Sequence, residues 1–154
     1  MGYVKLLGVC LVGFATIAAS GLVQAQEKFS GMVVNKLMEP QTQKFDSGTT
    51  ILLVGNRGVV MTDDPKHPQN GAKSACNGSV ALAKDGKPMG GKGSCSYTDK
   101  EGDLFWLTWD ASGTWAYNGG TGKFDSLSGS GTYKTVSSGN GVEAVQFDGT
   151  YKLK

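Results

Sequence analysis

Alternation of apolar and polar positions divides residues 26–154 into short extended runs separated by glycine- and aspartate-rich turns. FSGMVVNKLM at 29–38 carries apolar side chains on both alternating sets, Met32, Val34 and Met38 against Phe29, Val33 and Leu37, as in a strand covered on both faces. Pro40 ends it. TTILLVGNRGVVMT at 49–62 is interrupted by Gly55-Asn56-Arg57-Gly58, read as the turn of a hairpin, with a bulge in one long strand as the alternative. Runs at 74–83 and 90–99 flank the turn Asp85-Gly86-Lys87-Pro88. DLFWLTWD at 103–110 is the most apolar run: Leu104 and Trp106 share one face, Phe105, Leu107 and Trp109 the other, which places it centrally rather than at an edge. The last run, 142–153, sets Val145, Phe147, Tyr151 and Leu153 against Gln146, Asp148, Thr150 and Lys152.

A repeat organises the C-terminal part. Glycine, threonine and an aromatic recur at Gly113-Thr114-Trp115, Gly131-Thr132-Tyr133 and Gly149-Thr150-Tyr151, eighteen residues apart each time. That spacing holds one up strand, one down strand and their turns. The variant Gly120-Thr121-Gly122-Lys123-Phe124 falls where a return strand is expected to begin. No run after residue 25 has a helical period with caps. The pattern predicts one all-β domain over 26–154, a single antiparallel closed β-barrel of about eight strands.

Charge and cysteines then set the compartment. The chain has 154 residues, and its net charge of +2 leaves no basic stripe for nucleic acid. Lys5, the apolar run at 6–19 and Val23-Gln24-Ala25 form a signal peptide over 1–25, a signal helix cleaved after Ala25; an uncleaved anchor is the alternative, because 6–23 reaches the short end of a membrane span. A cleaved chain is exported, periplasmic or secreted, without stable membrane insertion. Cys76 and Cys95 are then an even pair in an oxidising compartment, expected to form a disulfide.

The loop DDPKHPQNG at 63–71 holds the only histidine, His67, beside Asp63 and Asp64. With no strand or helix spacing to aim three ligands, it reads as a solvated surface loop, and no metal site is expected. Asp103 and Asp110 border glycine turns and read as turn residues. Glu143 shares its alternation with Val145 and Phe147 and so is a candidate inward carboxylate, an anchor for a polar group or a general acid, with a strand-end residue at the solvent rim as the reading to set against it. Trp106 and Trp109 are candidate ligand-binding residues, although their opposite parity keeps them off one surface, and some aromatics are left for the core or for an interface between copies of the chain. No cofactor motif, P-loop or nucleophile context is present.

The run Asn118-Gly119-Gly120-Thr121-Gly122-Lys123-Phe124, with Leu127 and Gly129-Ser130-Gly131-Thr132, resembles the GGTG-aromatic signature of allene oxide cyclases, dirigent proteins and their bacterial relatives. The likeness covers about 109–133 and implies an eight-stranded antiparallel barrel, with the motif as strand and turn toward its C-terminal side. The enzymes of that family place carboxylates, asparagine or arginine in an apolar cavity, and none of those aligns onto a position here. Avidin-like barrels carry Gly-Thr-Trp near the mature N-terminus instead, and the N-terminal Gly-x-Trp of lipocalins is absent. Two functions follow: an exported, non-enzymatic barrel binding a small apolar ligand or a partner protein, or a cofactor-free cyclase or isomerase. The lack of an acid–base set favours the first.

Overall fold

The computed structural model describes residues 26–153, so the signal segment at 1–25 lies outside the described residues. Nine antiparallel strands follow one another: β1 (Glu27–Leu37), β2 (Gln41–Lys44), β3 (Thr50–Thr62), β4 (Lys73–Leu82), β5 (Pro88–Thr98), β6 (Leu104–Asp110), β7 (Thr114–Gly120), β8 (Ser128–Gly139) and β9 (Val142–Lys152). Each from β3 to β8 pairs with its successor, and β1 pairs with both β9 and β3, which closes an eight-stranded barrel. The short β2 is the ninth. It lies on β3 beyond the end of β1, where Pro40 breaks the line.

Two expectations are corrected. Residues 50–62 form one continuous strand, not a hairpin, because both of its edges are taken: Asn56 faces Leu37 of β1 on one side and Cys76 of β4 on the other. Gly58 is required by crowding rather than by a turn, since a Cβ there would lie 2.4 Å from the Val34 carbonyl. The return strand after Gly120 is also delayed. Gly122–Phe124 is a single 3-10 turn, and β8 starts at Ser128.

The eighteen-residue repeat has a geometric meaning. Trp115 faces Gly131, and Gly131 faces Gly149, so the aromatic of the first repeat and the glycines of the next two fall on one cross-strand row. The Trp115 indole lies over both glycines, where an added Cβ would come within 2.6 Å and 2.3 Å of its ring. Trp109, opposite Trp115, lies in the same way over Gly93 and Gly78. Glycines thus leave the inner wall low where two flat indoles cover it.

Alternation along the strands sends one set of residues inward, among them Phe29, Val33, Val60, Tyr97, Phe105, Leu107, Trp115, Tyr117, Phe147 and Tyr151. Cys76 and Cys95 face each other directly across β4 and β5 and form the expected disulfide, buried against this interior.

Candidate functional site

The barrel is hollow. A cavity of about 410 Å³ runs through it, within the usual size of a small-molecule site. Its walls are mainly apolar and aromatic, with Phe29, Phe105, Trp109, Trp115, Tyr133 and Phe147 prominent among them.

One end is closed. The connection at 63–72 is not the solvated loop expected from its composition. It folds across the barrel and buries His67, Gln69 and Ala72. The His67 ring stacks on Phe29 at 4.9 Å between centroids and meets Tyr151 edge-on at 4.7 Å. Backbone bonds from Val60 to Ala72 and from Gly71 to Val60 hold this plug to β3. Burial pushes the His67 imidazole below its ordinary pKa, against the pull of Asp64 and Glu27. Beneath the plug the Tyr117 hydroxyl donates to Gln69 Oε1 at 2.5 Å.

The GGTG segment closes the neighbouring part of the same end. Gly122 is in the left-handed region with φ 54°, and a Cβ there would collide with the Asp103 carboxylate, which accepts from the Lys123 backbone N–H at 3.2 Å. Phe124 and Leu127 are driven into the core, with Phe124 4.7 Å from Phe105 between ring centroids. Lys123 reaches over to Asp99 and Glu101. Burial works to raise the Asp99 carboxyl, yet the Lys123 ammonium and the N–H groups of Glu101 and Asp103 outweigh it and hold the pKa below the usual range. The carboxylates of Asp99, Glu101 and Asp103 converge as a cation site would, but Lys123 supplies the positive charge. Asp103 is therefore a turn residue. So is Asp110, whose pKa is lowered to about 2 by the hydroxyls of Ser112 and Thr114.

The other end of the cavity is lined by Leu37, Val54, Asn56, Thr135 and Glu143. Glu143 enters from β9, and its Oε1 accepts from Asn35 Nδ2 of β1 and Asn56 Nδ2 of β3, both at 3.2 Å. Oε2 takes no hydrogen bond from any described residue. A carboxylate half-exposed at the cavity rim is thus held across three strands.

Of the residues singled out from sequence, Trp109 and Glu143 line the cavity. Trp106 does not: it stands on the outer face of β6, 38% exposed, because Phe105, Leu107 and Trp109 take the inward parity. Asn35, Asn56 and Gln69 were missed. Asn35 shares alternation with Phe29 and Val33, a signal that was available; Gln69 sits in a loop and left none. The wall tyrosines are weak acids. Burial raises Tyr97 and Tyr117, and burial with the Glu27 carboxylate pushes Tyr151 up to about 12.

The sequence matches no protein-family model and no curated protein. Solved structures share its architecture, dirigent proteins among them. The pterocarpan synthase dirigent protein GePTS1 superposes with a TM-score of 0.52 at 14% identity, over 83% of this chain and 84% of that one. The pterocarpan synthase dirigent protein PsPTS1 does so with a TM-score of 0.51 at 14% identity, over 84% of this chain and 96% of that one. The chain therefore has the β-barrel fold of dirigent proteins.

Proposed function

We propose that this chain is an exported, non-enzymatic barrel that binds a small, mainly apolar aromatic molecule in its interior. The observation that carries this reading is the aromatic-lined cavity of about 410 Å³ with a carboxylate braced by two amides at its rim. Such a site excludes water from a flat ligand and offers one polar contact for orientation. The buried disulfide supports export, since such bonds persist in oxidising compartments. The alternative, a cofactor-free cyclase or isomerase acting by confinement, would rest on Glu143 as the carboxylate at the apolar cavity; the buried wall tyrosines, raised above their ordinary range, do not serve it as bases at neutral pH. Pterocarpan synthesis belongs to the fold neighbours and is not carried over to this chain.

A panel of lipids and phenols titrated against tryptophan emission tests the reading, because Trp109 and Trp115 lie on the cavity wall. Binding should shift the emission and raise Tm. Glu143→Gln should weaken ligands that carry a donor group by about tenfold, the worth of one hydrogen bond to a charged acceptor, while stability changes by less than about 0.5 kcal/mol. Flat titrations across the panel would leave a barrel that serves a partner protein instead.

A further inference from the structure

Among the described residues of the closed end, and apart from Asp99 Oδ2, which Lys123 pairs, three buried polar atoms have no hydrogen-bond partner: His67 Nε2, Ser74 Oγ and Gln69 Nε2. Of these three residues only Gln69 lines the cavity. It is 2% exposed, and its amide is oriented by Tyr117, whose hydroxyl engages Oε1 and leaves Nε2 with both hydrogens unused. A buried donor without an acceptor is costly, and on a cavity wall a ligand oxygen removes that cost.

The opposite rim has the complementary chemistry. Asn35 and Asn56 both donate to Oε1 of Glu143, so Oε2 is left to accept. The cavity thus has a donor pole beneath the plug and an acceptor pole at the rim, with aromatic walls between them. Asn56 and Val60 mark the two levels on β3, the plug being tied to Val60, and four strand residues span about 13 Å. A molecule that touches both poles is therefore elongated.

Building on the cavity-binding reading, we propose that the occupant is an elongated aromatic molecule with a carbonyl-type acceptor at one end and a hydroxyl donor at the other. The carbonyl seats on Gln69 Nε2 and the hydroxyl on Glu143 Oε2. The polarity of the two poles gives the ligand one direction in the barrel.

The test uses four probes: naphthalene, acetonaphthone, naphthol, and hydroxyacetonaphthone with its two groups at opposite ends of the rings. Affinities are measured by calorimetry for the mature chain, Gln69→Glu, Gln69→Leu and Glu143→Ala. Gln69→Glu keeps an acceptor for Tyr117 but brings a buried carboxyl that offers no donor only when ionised, so it is read at alkaline pH beside the uncharged Gln69→Leu, and the melting temperature of each variant separates recognition from loss of the plug. In the unaltered protein each polar group should tighten binding by about tenfold. The acetyl gain should vanish in both Gln69 variants and survive in Glu143→Ala, and the hydroxyl gain should do the reverse. If all four probes bind equally well, or if the acetyl gain is lost in Glu143→Ala instead, the two-pole proposal is overturned while the cavity still binds. If not even naphthalene binds the unaltered protein, the cavity-binding reading itself fails.

Discussion

The two ends of this barrel are built from similar turn chemistry, yet one is sealed and the other is not. At the sealed end the connections are long, ten residues between β3 and β4 and seven between β7 and β8, and each turns an aromatic inward, His67 in one and Phe124 in the other. At the rim Asn140-Gly141 turns β8 into β9 in two residues, both with positive φ as a tight hairpin turn demands, and 111–113 joins β6 to β7 in three. A connection of two or three residues spans neighbouring strands and nothing more. Length alone does not close an end, since 38–49, which joins β1 to β3 at the rim, is twelve residues long and lies mostly exposed along the edge of the sheet as β2; the long connections of the sealed end close it because they turn buried side chains inward. The consequence for binding is an asymmetric cavity, lined by the half-exposed Glu143 at the rim and covered by buried His67 and Gln69 beneath the plug.

If the sealed end carries stability and the rim carries recognition, truncation should show it most sharply. Phe124→Ala, at a fully buried side chain, should cost about 3–5 kcal/mol in urea unfolding. Val142→Ala, exposed beside the rim turn, should change stability by less than about 0.5 kcal/mol. Equal costs would abolish the distinction. The β4–β5 hairpin, whose turn at 83–87 stands at the unsealed end, relies on its disulfide instead. Replacing both cysteines by serine should cost about 3 kcal/mol, with hydrogen-exchange protection lost first in that hairpin.

Ion pairs make the same contrast at smaller scale. Lys123→Met leaves the Asp99 carboxylate, 1% exposed, without its cation. The loss should be about 2 kcal/mol, below that of a fully buried pair because the Lys123 side chain is 30% exposed. Lys87→Met removes the Lys87–Asp85 pair of the 83–87 turn, where both side chains are exposed, and melting should shift hardly at all.

Acid should loosen the sealed end first. His67 has a folded pKa below its ordinary 6.5, so the unfolded chain binds more protons in the interval between the two values. The histidine contribution is complete above 6.5 and is lost as pH falls from there toward the lowered value. Exchange rates at 63–72, corrected for intrinsic chemistry, should therefore rise between neutral pH and about pH 5, where the unfolded imidazole is protonated. Those around Asn140 should not, and His67→Phe should remove the pH slope. An unchanged profile at 63–72 would show that the plug does not open on protonation.

Local pattern determined a good deal. Period-two alternation and the eighteen-residue repeat marked an all-β chain, located most of the strands within a residue or two and foretold closure, because these depend on neighbours in sequence. Two cysteines in an exported-looking chain were enough to name the disulfide. Alternation also separated Trp106 from Trp109, but it gives two faces without saying which is inner, and only closure of the sheet turned Trp109 inward.

Glycine was the harder letter to read. At 58 it marks tight packing against β1 and not a turn, and at 78, 93, 131 and 149 it makes room for indoles arriving from other strands. Nothing local distinguishes these uses, since the atom that would clash belongs to a residue distant in sequence. For the same reason the plug looked like a surface loop: its burial depends on the ring of Phe29, and Gln69 and Glu143, the pair proposed for recognition, share one cavity only because the barrel places a loop and a strand end on it.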